Sequence, residues 1–123
     1  MTRPFALILC LTLAGTAAAP AGEAVVEAVR ATPAGAGTWR FDVTLSHGDT
    51  GWDHYADGWA VETEAGGRLG FRELAHPHVT EQPFTRSLSG VAVLDGVETV
   101  YVRARDSVHG WSSERVPVDL VTD

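Results

Sequence analysis

A chain of 123 residues with a formal net charge of −7 and a single cysteine has room for one domain and little else. All nine basic residues are arginines, scattered rather than clustered, and a dispersed acidic surface excludes DNA, RNA and anionic membranes as partners. Cations, sugars and basic proteins remain compatible with it.

The first 21 residues read as a signal peptide: a short positive start from Met1 to Arg3, an apolar run from Phe5 to Leu13, and small residues from Thr16 to Ala21. Cleavage after Ala19 would present Pro20, a poor substrate, so cleavage is expected after Ala21 with Ala19 at the minus-three position. The apolar run is too short for a stable membrane span. The mature domain, 22–123, is therefore expected to be periplasmic or secreted, with no membrane insertion after cleavage. Cys10 lies within the leader, and Leu9 before it is too large for a lipoprotein signal. Its loss leaves no thiol, which excludes disulfides, zinc-thiolate centres and blue-copper centres.

Along the mature chain the dominant pattern is alternation, and no helical period persists. Strand A is expected near 24–32, followed by the turn PAGAG at 33–37. Strand B, 38–46, turns Trp39, Phe41, Val43 and Leu45 to one face and Arg40, Asp42, Thr44 and Ser46 to the other. Strand C spans 58–64, with Trp59 expected between the sheets, and the turn AGG leads to strand D at 68–74. In strand E, 84–94, the apolar parity changes between Leu88 and Val91, so Ser89 and Gly90 are expected to form a bulge. Strand F, 97–105, alternates through Val100, Val102 and Ala104, and strand G is placed at 115–121. Together these predict an all-β fold, a single immunoglobulin-like or fibronectin-type antiparallel sandwich of about seven strands.

If consecutive strands are antiparallel, the B–C, D–E and F–G connections share one end. Those stretches hold all five histidines, His47, His54, His76, His78 and His109. The opposite end has short glycine-rich turns.

In HPHVTEQPF, residues 76–84, His76 and His78 stand two apart, a spacing of about 6 to 7 Å on one side of an extended chain. Pro77 stiffens the segment. The pair is read as the heart of a divalent transition-metal site. His47, His54 or His109 would complete it, with Asp49, Asp53 or Glu81 as ligand or ring-orienting acceptor. Imidazole and carboxylate without thiolate suit one Cu(II) or Zn(II), or Ni(II). The plain alternative is that these histidines are loop residues or braces. Asp49 is expected to form an Asx-type turn with Thr50 and Gly51, and Asp49, Asp53 and Asp57 do not follow a calcium-loop spacing.

Trp52, Tyr55 and Trp111 provide a second reading, an aromatic surface for a glycan or another exported protein, or simply a small core packing the loops. A third reading is a purely structural domain. Ser46–His47 and Asp106–Ser107–His109 contain the atom types of a hydrolase but lack a nucleophile elbow, and no enzyme is expected.

The strings HGDTGWDHYAD (47–57), HPHVTEQPFTRSLSGV (76–91) and VRARDSVHGW (102–111) resemble a small family of bacterial exported proteins with no established activity. In architecture alone the expected fold is similar to periplasmic copper-resistance carriers of the CopC type. The resemblance implies copper binding through histidines, although those carriers use a histidine at the mature N-terminus and this chain would begin at Gly22.

Overall fold

A computed structural model describes residues 22–120. The expected signal peptide and residues 121–123 lie outside the described residues. Eight strands follow in order: β1 (Val25–Pro33), β2 (Thr38–Ser46), β3 (Ala56–Glu62), β4 (Arg68–Glu73), β5 (Phe84–Ala92), β6 (Thr99–Asp106), β7 (Gly110–Trp111) and β8 (Val116–Asp119). One sheet runs β1-β2-β5; the other runs β4-β3-β6-β7, with β8 also on β6. Every pairing is antiparallel. The all-β sandwich expected from the alternation is present, three strands over five.

The core comes directly from strand parity. Trp39, Phe41, Val43 and Leu45 of β2 are buried, as are Val100, Val102 and Ala104 of β6. Trp59 is fully enclosed between the sheets. Strand β3 is buried on both faces. Its outward Gly58 lies beneath the Phe71 ring, where an added Cβ would come within 2.6 Å of Phe71 Cζ.

The change of parity in β5 is a bulge at the expected place. The register passes from Trp39↔Val91 to Phe41↔Leu88, leaving Ser89 and Gly90 opposite Arg40 alone. Gly90 has a φ of 73°, the left-handed conformation that an inserted residue needs.

Two features depart from simple expectation. Strand β4 stays in the sheet of β3, unlike the immunoglobulin constant arrangement in which the fourth strand joins A, B and E. The turn is too tight for anything else: Thr63 N donates to Gly67 O and Gly66 N to Thr63 O, and the sheets lie about 10 Å apart. The last strand is also split. β7 pairs Trp111 with Arg105, Ser112 N still donates to Ala104 O, β8 pairs Val116 with Val102, and residues 113–115 leave the ladder between them. The F–G connection is thus a short hairpin, Ser107–His109, and then a detour.

The connections 47–55, 74–83 and 107–109 meet at one end of the sandwich, where Gly22 also lies. Phe41 is a fully buried member of the apolar cluster and one of its largest side chains. Phe41→Ala is expected to cost about 3 to 5 kcal/mol, measured as a lower urea midpoint with an unchanged slope.

Candidate functional site

Asp106 continues the inward parity of β6 two residues beyond Ala104. The apolar face of the strand therefore ends in a carboxylate that is 0 % exposed. The hairpin that follows folds over it: Asp106 Oδ1 accepts the backbone N–H of Val108 at 2.9 Å and of His109 at 2.7 Å. His109 Nδ1 and His54 Nε2 approach the same oxygen, each at 3.1 Å. Burial works to raise the Asp106 pKa, but the His109 and Val108 N–H groups and the His109 ring outweigh it and hold the group below 3.8. Its second oxygen, Oδ2, is buried with no hydrogen-bond partner among the described residues.

His47 extends the inward face of β2 past Leu45. Its Nδ1 lies 2.5 Å from Asp49 Oδ1 and its Nε2 lies 2.8 Å from the Gly22 carbonyl oxygen. Asp49 is buried and serves as a hub. Oδ1 also accepts the Ala56 N–H at 3.0 Å, and Oδ2 accepts the His78 N–H at 2.7 Å. The expected Asx turn is therefore replaced by long-range bracing. The local turn lies further on, where Thr50 N donates to His54 O and His54 N to Gly51 O. Gln82 completes the brace, accepting the His47 N–H and donating to His78 O, each at 2.9 Å.

The rings of His47 and His54 are 4.7 Å apart, and those of His54 and His109 are 5.1 Å apart. His54 Nε2 is 3.2 Å from the Gly22 carbonyl. One donor atom from each of His47, His54 and Asp106 lies within 4.8 Å of the others. His54 Nε2 and Asp106 Oδ1 stand 3.1 Å apart, a spacing that two neighbouring ligands of one ion can take with bonds of about 2.0 to 2.1 Å. Without an ion, hydrogen bonds at both nitrogens of His47 require two N–H donors on one ring. A cation beside Nε2 would meet the Gly22 oxygen there and leave the ring neutral, with Nδ1–H still donating to Asp49.

His76 and His78 are not at this centre. Their rings are 4.7 Å apart, but His78 is stacked on Phe84 at 3.9 Å and 12°. Arg86 Nη2 donates to His78 Nε2 at 2.9 Å while reaching Glu81 at 3.4 Å, so a guanidinium occupies the lone pair that an ion would need. His76 is exposed and faces the Pro77 carbonyl, and Asp53 and Glu81 remain on the surface.

The aromatic trio is divided as well. Trp52, 68 % exposed, meets Tyr55 edge-on at 5.6 Å. Trp111, paired with Arg105, lies on the outer face of the five-stranded sheet against Phe71, with the Arg68 and Arg105 guanidinium groups at 5.4 and 5.5 Å. Ser46 Oγ donates to Glu27 and Ser107 Oγ accepts the Tyr55 N–H. Neither hydroxyl bonds to an imidazole among the described residues.

The two members of the cluster that sequence reasoning left out of the metal set are Asp106 and Gly22. Asp106 carried a readable signal, its place on the buried parity of β6. Gly22 carried none, because its role depends on a backbone carbonyl.

Two outcomes follow from this bracing. Burial, then the nearby Arg86 and His76 charges, lower the His78 pKa from 6.5 against the opposing pull of Glu81 and Asp49. An unfolded chain thus takes up a proton at His78 that the folded chain refuses until lower pH, so this contribution is complete above about 6.5 and is lost as pH falls below it. His78→Phe is expected to flatten the pH dependence of urea stability in that acidic window; an unchanged slope would contradict the assignment. Asp49→Ala strands several buried donors at about 1 to 3 kcal/mol each. It should lower stability by about 3 kcal/mol or more, read by thermal or urea melting.

Among known proteins, a putative lipoprotein from Halomicrobium mukohataei is 48% identical to this chain over 97 residues, covering 79% of this chain and 47% of the relative. The chain thus spans about half the length of the relative it matches. No family model and no solved structure matches it, so the architectural likeness to copper-resistance carriers finds no support there.

Proposed function

We propose that this chain is an exported β-sandwich domain that binds one divalent transition-metal ion, Zn(II) or Cu(II), at the loop end. His47 Nε2, His54 Nε2 and the Asp106 carboxylate are the ligands. The observation that carries this reading is that one ligand atom from each of His47, His54 and Asp106 lies within 4.8 Å of the others, with both Nε2 atoms beside the Gly22 carbonyl. The unpartnered Asp106 Oδ2 supports it, since a buried carboxylate oxygen without a donor is costly unless a cation shares it. Asp49 stands behind His47 as the acceptor that orients a ligating ring and raises its basicity. The name of the Halomicrobium relative supports export.

Neutral imidazoles and a carboxylate, with no thiolate, match the preferences of Zn(II) and Cu(II). Binding would displace protons from the ring nitrogens, so affinity should rise with pH. A binding and handling role fits a site presented at the open end of a small sandwich. The division of Trp111 from Trp52 and Tyr55 leaves the glycan reading without a single stacking surface.

Tag-free protein titrated with Zn(II) or Cu(II) should bind one equivalent. His47→Ala/His54→Ala should lower affinity by more than the roughly 10- to 100-fold typical of losing an outer-shell partner, while His76→Ala changes it by less than about threefold. Sub-stoichiometric binding by the parent protein, or full binding by the double variant, would overturn the assignment. A proton-held brace instead predicts a large drop in melting temperature for the double variant with no metal effect in either protein.

A further inference from the structure

The backbone atom shared by both imidazoles belongs to Gly22, the residue that the leader sequence places immediately after its expected cleavage point. We propose that processing completes the metal site: hydrolysis of the Ala21–Gly22 bond frees an α-amine that joins the Gly22 carbonyl oxygen as a chelating pair beside His47, His54 and Asp106. This inference rests on the metal reading above.

The chemistry of the nitrogen decides the difference. In the unprocessed chain the Gly22 nitrogen is an amide, its lone pair delocalised into the carbonyl of Ala21, and it is a poor ligand. In the hydrolysis, carried out by an exported-protein peptidase, water gives its hydroxyl to the Ala21 carbonyl carbon and its proton to the Gly22 nitrogen. The product amine, with an ordinary pKa of about 7.7 to 8.0, has a localised lone pair once deprotonated. Amine nitrogen and carbonyl oxygen of one residue close a five-membered ring on an ion. The ammonium proton leaves to solvent on binding.

Three features fit Gly22 for that role. Its α-carbon lies so near His109 that a Cβ would come within 2.3 Å of Cε1 and 3.0 Å of Nε2, so glycine alone leaves the approach open. The residues behind it are pinned. Ala24 is buried and its carbonyl accepts the Ser112 hydroxyl at 2.7 Å, while Glu23 accepts the Ser113 N–H and hydroxyl at 3.1 and 3.0 Å. Chain ends ordinarily fray unless tied down. Here the detour between β7 and β8 supplies the tie, which holds the new terminus against the cluster.

The test compares the chain 22–123 bearing a free Gly22 amine with the same chain acetylated at that nitrogen, and with one that retains Pro20 and Ala21 behind an initiating Met. Circular dichroism confirms the fold of each, and Zn(II) and Cu(II) alone are the probes. The free-amine form should bind about tenfold or more tightly, with a pH dependence near the amine pKa that the blocked forms lack. Cu(II) on protein labelled with ¹⁵N at Gly22 should show nitrogen coupling from that atom. Equal affinity in all three forms would overturn this inference and leave the His47, His54 and Asp106 site standing. Absence of binding in all three would remove both. Mass spectrometry of exported protein should place the mature start at Gly22, and a start elsewhere would also overturn the proposal.

Discussion

Two carboxylates with almost no access to water, Asp49 and Asp106, govern the loop end of this sandwich. A buried carboxylate is tolerated only when donors surround it, and each of these two is served by backbone N–H groups, three of the four from loop residues and one from the first residue of β3. Asp49 gathers Ala56 and His78; Asp106 gathers Val108 and His109. The shapes of three connections follow from those obligations. The imidazoles of His47, His54 and His109 are the remaining donors, and their convergence is a consequence of satisfying the acids.

The sheets are where the sequence was most legible. Alternation in β2 and β6 reports burial because side chains of a strand point to opposite faces, and the parity slip in β5 reports the bulge at Ser89–Gly90 for the same reason. Trp59 was readable as a core residue from its place in a strand. The membership of β4 was less so, since pattern alone does not say which sheet a strand joins; a turn too short to cross between layers decides it. The break between β7 and β8 was hidden because two residues are too few to show a period.

The site was legible in location and not in composition. Strand parity put the histidines at one end, but adjacency in sequence favoured His76 and His78, whereas adjacency in space favours residues tens of positions apart. His78 was turned inward by stacking on Phe84, and Arg86 then took its free nitrogen. Trp111 was drawn to the outer sheet face by its pairing with Arg105, and was therefore lost to the loop aromatics. On that face Arg103 meets Glu62 and Arg105 meets Asp57.

The position of Asp106 at the end of β6 has a mechanical meaning. That strand is held on one side by β3 and on the other by β7 and β8, so its terminal carboxylate is a fixed post. His47, His54 and His109 sit instead on connections, each backbone N–H held by one acceptor: Gln82, Gly51 and Asp106 respectively. Under the metal reading proposed above, that post would fix where an ion sits, and the imidazoles would be placed relative to it.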